Sequence, residues 1–200
     1  MTAQDRPTAL AENGRRAQLS LFARNFFKHP RMLGSIIPSS PFLVRRLLDR
    51  IDWQNTRVIV EYGPGVGTIT RQLLHRMPSN AILLALEINR EFVDFLQQSL
   101  PDPRLHVIQG SAETVQEALT RLGQPTADCV LAGLPFSTLP ATNREAILTN
   151  SLDALAPQGS MLIYQFSSRV LHDLRRIFAE VECDFEPLNI LPAKVYHCRP

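Results

Sequence analysis

Val58-Ile-Val-Glu-Tyr-Gly-Pro-Gly-Val-Gly67 is a short β-branched run that gives way, within four residues, to glycines at 63, 65 and 67. Such a run reads as a buried strand, and glycines directly after it allow a tight turn into a helix and a close approach of backbone to a ligand. The amide groups that open that helix point into the same crevice, where they favour anionic or polar groups. The spacing is G-x-G-x-G, with Thr68 where a dinucleotide fingerprint wants its third glycine, so a dinucleotide is disfavoured. Glu61 inside the motif would repel a pyrophosphate but suits the cationic amino group of a methionyl moiety.

Outward from this stretch the chain alternates short apolar runs with longer amphipathic ones, the pattern of stacked βαβ units on a mainly parallel sheet. Strands are expected near 57–62, 81–87, 105–108, 127–133, 159–166, 181–188 and 193–198. Helices are expected near 41–49, 66–76, 90–99, 112–122, 141–155 and 168–179. The second strand ends at Glu87, followed by Ile88, and a carboxylate at that place accepts hydrogen bonds from a ribose. The third ends in Gly110-Ser111-Ala112, where an adenine edge would lie. The fourth ends in Gly133-Leu134-Pro135-Phe136, a proline-fixed turn whose carbonyls can receive an amine and whose aromatic ring can face a cation. Tyr164, at the end of the fifth strand, either orients a substrate or belongs to the core.

The 200 residues suit one domain, and the formal charge of +2 is unevenly spread. Residues 1–50 hold nine Lys or Arg against three Asp or Glu, and residues 51–200 hold twelve against sixteen. The basic first quarter points to an anionic surface, phospholipid or nucleic acid. Residues 1–14 read as a flexible tail. Leu19, Phe22, Ala23, Phe26 and Phe27 recur at helical steps opposite Arg24 and Lys28, which predicts an amphipathic helix ending at Pro30. That helix either lies in the plane of an anionic bilayer or packs on the domain. Residues 15–40 thus form an attachment of helix and loop, and residues 41–200 the domain proper. No apolar run is long enough to span a membrane and the start of the chain lacks a secretion-signal layout, so a cytoplasmic chain is expected. Three scattered cysteines suggest neither disulfides nor a metal site.

The combination of acid, glycine loop and second acid resembles the class I S-adenosylmethionine-dependent methyltransferases over roughly residues 56–200. That resemblance implies an α/β, Rossmann-like, seven-stranded, mostly parallel sheet with helices on both faces and an antiparallel hairpin of its last two strands. It also implies S-adenosylmethionine as cofactor, leaving as S-adenosylhomocysteine, with no metal. Cofactor contacts fall to Glu61, Gly63, Gly65, Gly67, Glu87, Ile88, Gly110, Ser111 and Ala112.

Three segments further resemble the bacterial phospholipid N-methyltransferases, which methylate phosphatidylethanolamine: Lys28-His-Pro-Arg31, Gly34-Ser-Ile-Ile-Pro-Ser-Ser40, and Gly133-Leu-Pro-Phe136 followed by Thr138-Leu-Pro140. Asn189-Ile-Leu-Pro-Ala-Lys-Val-Tyr196 agrees with them. By this resemblance Ser39 and Ser40 close over the cofactor or the lipid phosphate, unless they only cap a helix, and Arg31, Ser35, Pro38, Phe136 and Tyr164 meet the substrate. The ribosomal-RNA adenine dimethyltransferases are a more distant match. They carry Asn where this chain has Gly133, which favours a lipid amine over a nucleobase and leaves RNA methylation as the alternative. The expected partners are an anionic membrane surface and its phospholipid, at the inner face of the cytoplasmic membrane, with no nucleic acid. Gly133, Leu134, Pro135, Phe136 and Tyr164 are then the residues nearest the chemistry, and no histidine stands out as a base.

Overall fold

The computed structural model describes residues 39–200. The predicted tail, the amphipathic helix, and Arg31, Ser35 and Pro38 lie outside the described residues.

Helix α1 (Pro41–Leu48) opens the described chain. The side chain of Ser40 caps it, accepting from the Leu43 N–H at 3.2 Å, and a proline occupies its first turn, where the missing N–H costs nothing. Six strands and five helices then alternate into the final strand: β1 (Val58–Tyr62), α2 (Thr68–Arg76), β2 (Ile82–Glu87), α3 (Arg90–Ser99), β3 (Leu105–Gln109), α4 (Val115–Arg121), β4 (Ala127–Ala132), α5 (Ala141–Ala154), β5 (Leu155–Gln165), α6 (Leu171–Ile177), β6 (Glu180–Glu186) and β7 (Ala193–Arg199).

The seven strands form one sheet in the order β3-β2-β1-β4-β5-β7-β6. Strands β1 to β5 are parallel, and β7 runs antiparallel between β5 and β6. The predicted Rossmann-like arrangement, with its closing hairpin, is the observed one. Strand order reverses between β1 and β4, and ligands of open α/β sheets bind at that switch point, beyond the strand C-termini.

The two-residue period of the strands divides the core into two layers. Val58, Val60, Tyr62, Val130, Ala132 and Ile163 pack under α4, α5 and α6. Ile59, Leu83, Cys129, Leu131, Leu162 and Val195 pack under α1 and α2. Glu61 shares the parity of Ile59 and therefore enters the second layer, where burial disfavours its charged form.

Several boundaries differ from expectation, among them the helix expected at 168–179, which runs Leu171–Ile177, and the strand expected at 181–188, which runs Glu180–Glu186. The helix expected at 66–76 starts at Thr68, because Gly67 adopts φ +78° and forms a left-handed N-cap. The helix expected at 112–122 is a 3-10 turn (Ala112–Thr114) leading into α4. Strand β5 begins at Leu155, before the expected 159, since a register shift between Ala127 and Cys129 lets both ends of it pair with β4. Among the described residues no helix is long and apolar enough to cross a membrane.

Candidate active site

The glycine loop spans the crevice at the end of β1. Gly63, Gly65 and Gly67 all take positive φ, between 56° and 78°. At Gly67 a Cβ would stand 2.7 Å from Leu96 Cδ2, so Leu96 occupies space that a side chain at 67 would need. At Gly65 a Cβ would meet nothing within 4 Å, which leaves open space in front of the backbone where a ligand can approach. Gly65 N–H donates to Glu87 Oε2 at 3.1 Å and Asn89 N–H to Glu87 Oε1 at 2.9 Å, so the acid ending β2 holds the loop in place. Burial pushes the Glu87 carboxyl up, and backbone N–H groups of Asn89, Gly65 and Ile88 pull it back. Ile88, beside it, is mostly exposed and offers an apolar face at the same rim.

Glu61 is buried, and its Oε2 has no hydrogen-bond partner among the described residues. Burial raises its carboxyl to about 8; neighbouring Thr70 counteracts this and the charge of Glu87 adds to it. Thr70 is close enough to favour the charged form, yet its hydroxyl also lacks a formed hydrogen bond, so the two polar groups leave an acceptor uncommitted. An orphaned carboxyl under an open glycine loop fits, on losing its proton, a cationic amino group such as S-adenosylmethionine presents.

The turn after β4 lies against this loop. Gly133 N–H donates to Tyr62 O at 3.0 Å, and a Cβ on Gly63 would come within 3.0 Å of Leu134 Cδ2. Tyr164 joins from β5: its hydroxyl stands 3.1 Å from where a Gly133 Cβ would be. Burial pushes that hydroxyl up, its contact with Ser39 pulls it back, and the charge of Glu61 pushes it up again. Glu61, Gly63, Gly133, Tyr164 and Ser39 are therefore neighbours.

Other predicted residues are placed differently. The Phe136 ring is wholly buried in the first core layer, so it supports the turn from behind and presents no face to a cation. Leu134 O already accepts from Phe136 N and Gln165 Nε2, and Pro135 O from the N–H and the hydroxyl of Thr138. Of the carbonyls in the turn, Gly133 O is the one with no such donor among the described residues. Ser40 caps α1, and Ser111 Oγ caps the turn after β3 by accepting from Glu113 N–H. Gly110 N–H continues the sheet to Glu87 O, and the Ala112 side chain is buried.

Two residues escaped the sequence reading. Gln165 Nε2 donates to Leu134 O at 2.7 Å and to Tyr164 O at 2.6 Å, tying the turn to β5. Replacing it with Leu should cost about 1–3 kcal/mol in urea unfolding, since it strips buried carbonyls of a donor. Asn189 accepts from Ser40 N–H at 2.8 Å and donates to Leu191 O at 2.9 Å, fastening the β6–β7 connection to the start of α1.

The family model for ribosomal RNA adenine dimethylase matches residues 26–200. The chain belongs to this family of methyltransferases. The ornithine lipid N-methyltransferase of Singulisphaera acidiphila is 33% identical over 181 residues, 90% of this methyltransferase and 94% of the relative. A probable ribosomal RNA small subunit methyltransferase A of Methanospirillum hungatei is 26% identical over 135 residues, which are 66% of this chain but 48% of that one. This methyltransferase thus spans about half the length of that ribosomal RNA relative. Among solved structures, a TehB-like S-adenosylmethionine-dependent methyltransferase from Corynebacterium glutamicum matches with a TM-score of 0.58 at 18% identity, over 88% of this chain and 97% of its own. The precorrin-6y C5,15-methyltransferase of Geobacter metallireducens matches at 0.59 and 16%, over 79% and 87%. These likenesses give the fold, and the family gives an S-adenosylmethionine-dependent enzyme.

Proposed function

We propose that this methyltransferase is a phospholipid N-methyltransferase, moving methyl groups from S-adenosylmethionine to the head-group amine of phosphatidylethanolamine and its methylated derivatives at the inner membrane face, toward phosphatidylcholine. The observation that carries the choice of acceptor is Gly133. The place where an adenine-holding side chain would stand is bare, and it is walled by Tyr164 Oη, Gly63 O and Tyr62 O at 3.1 to 3.5 Å from any added Cβ. The likeness to a lipid N-methyltransferase over nearly its whole length supports the same class.

When bound, the cofactor supplies a methyl group made electrophilic by its sulfonium. Glu61 would receive the cofactor's ammonium on the free Oε2, and the glycine loop would admit its backbone-like end. Glu87 keeps acceptor capacity beyond the N–H groups of Gly65, Asn89 and Ile88, which a ribose hydroxyl would use. Ile88 would pack on the adenine, with Gly110, Ser111 and Ala112 at its edge. Gly133 O would accept from the substrate amine, and Tyr164 and Ser39 would border it. Arg31 is proposed for the lipid phosphate, and Ser35 and Pro38 for other contacts with the substrate. The amine reacts neutral, having lost its proton to water, and the residues contribute alignment more than acid–base chemistry.

Methyl-labelled S-adenosylmethionine offered in parallel to phosphatidylethanolamine vesicles, ornithine lipid vesicles and unmethylated ribosomal RNA tests this. Label is expected in phosphatidylethanolamine. Label confined to ornithine lipid would move the substrate within the class, and label in RNA with none in lipid would overturn the proposal.

A further inference from the structure

The β6–β7 connection reverses the usual distribution of polarity. Leu188, Ile190 and Leu191 are 59%, 71% and 43% exposed, whereas Asn189, the polar residue among them, is 9% exposed. Soluble surfaces seldom gather large aliphatic side chains this way without a partner. The conformation is built: Asn189 is fastened on both sides, and Glu186 Oε1 accepts from Leu188 N–H at 2.8 Å while its Oε2 accepts from Arg46 at 2.8 Å. Polar side chains inside thus hold apolar ones outward.

Two more exposed aromatics border the loop, Phe42 on α1 and Phe185 at the end of β6. Because β6 runs in the direction of β5, the loop stands at the same sheet edge as the glycine loop and Gly133. Cations flank it. Lys194 is cross-strand neighbour to Phe185, and Arg45 follows Phe42 on α1 by three residues. Among the described residues neither has an acidic partner.

We propose that the β6–β7 loop is a membrane-inserting element: Leu188, Ile190 and Leu191 enter the acyl region of an anionic bilayer, with Phe42 and Phe185 at the interface and Arg45 and Lys194 among the lipid phosphates. Two cations beside an apolar tip fit an anionic lipid surface. The inference rests on the lipid reading of the site and adds to it, by setting the mouth of the crevice against the leaflet that would hold the substrate.

Trp53, the chain's one tryptophan, lies beyond the far end of α1, its indole N–H on Leu48 O, so a reporter can be placed in the loop against a quiet background. Full-length Ile190→Trp is mixed with vesicles of phosphatidylcholine and phosphatidylglycerol whose acyl chains are brominated. The reporter at position 190 is expected to shift to the blue and be quenched, while the parent's emission is not. The double variant Ile190→Ser/Leu191→Ser should lose at least about tenfold in vesicle partitioning with unchanged Tm. On a water-soluble short-chain phosphatidylethanolamine it should keep the parent rate.

A vesicle-bound protein whose reporter stays unquenched, or a parent that binds no vesicles, would overturn the proposal. So would sedimentation showing that the serine pair dissociates a dimer, which would make a second copy the occupant. If the parent methylates no lipid of any chain length, the proposed function fails, and quenching still reports independently on the loop.

Discussion

Glu61→Gln should abolish useful cofactor binding while making the free protein more stable. The carboxyl lies in an apolar layer and is raised from 4.5 to about 8, chiefly by burial. An acid whose folded pKa exceeds its unfolded one costs stability, and the cost grows as pH climbs from the lower value to the higher. For Glu61 it accumulates between about pH 4.5 and 8 and reaches on the order of 4 kcal/mol. Glutamine removes the charge but leaves an amide short of partners, worth about 1–3 kcal/mol against it. The net gain should be about 1–3 kcal/mol at pH 8, or roughly 3–9 °C in Tm, shrinking toward zero or reversing at pH 5. Against S-adenosylmethionine the same change deletes one partner of a buried ion pair, so Kd should weaken by about 10²–10³-fold. A variant that is no more stable yet loses binding would point to a packing defect instead.

The pH dependence of binding follows from the same group. Below about pH 8 Glu61 is mostly neutral, and pairing with an ammonium requires its proton to leave. The parent's affinity should therefore rise up to tenfold per pH unit toward 8, then fall as the free ligand's α-amino group, with a pKa of about 8, loses its own proton. Calorimetry in two buffers of different ionisation enthalpy should show proton release near pH 7 for the parent and none for Glu61→Gln.

The fold was legible because its signals are periodic. Alternating parity in Val58–Tyr62 and the spacing of Leu43, Val44, Leu47 and Leu48 follow from which face meets the core. The glycine loop and the acid that braces it were legible as well, since a glycine loop after a strand and an acid at the end of the next are local in sequence. The packing of the turn after β4 was not. Phe136 is part of the motif, but a motif says nothing of which way a ring turns, and here the ring fills the first core layer. Gln165 and Asn189 do their work through partners 31 and 149 residues away, Leu134 and Ser40, so no window of sequence contains the interaction. The exposed tip at 188–191 lies in sequence at the junction of two expected strands, 181–188 and 193–198. Its outward face shows only in the folded chain, where Asn189 is held inward by its hydrogen bonds.

Gly133→Ala should lower kcat/KM by about 10–10²-fold, and Tyr164→Phe in the same molecule should restore much of the loss. Gly133 has no unusual φ, so an alanine there is not strained by its backbone. The obstacle is space: the added Cβ would lie 3.1 Å from Tyr164 Oη, and 3.4 and 3.5 Å from the carbonyl oxygens of Gly63 and Tyr62. Tyr164 yields with difficulty, because β5 fixes its backbone and its ring meets Phe166 edge-on at 6.4 Å. The turn must move instead, and a displacement of a fraction of an ångström at the carbonyl that receives the amine is costly to alignment. Removing Oη deletes the tightest contact and leaves neighbours at 3.4 Å and beyond, which small adjustments accommodate. The single Tyr164→Phe enzyme fixes the intrinsic contribution of the hydroxyl, and the remaining non-additivity measures the clash, expected at about 1–2 kcal/mol. Kd for S-adenosylmethionine, measured separately, should change less than kcat in Gly133→Ala, since Glu61 and Glu87 are untouched. If the double variant were no faster than Gly133→Ala alone, crowding by Tyr164 would not be what keeps this position bare. The argument from Gly133 to a lipid amine would then lose its physical basis.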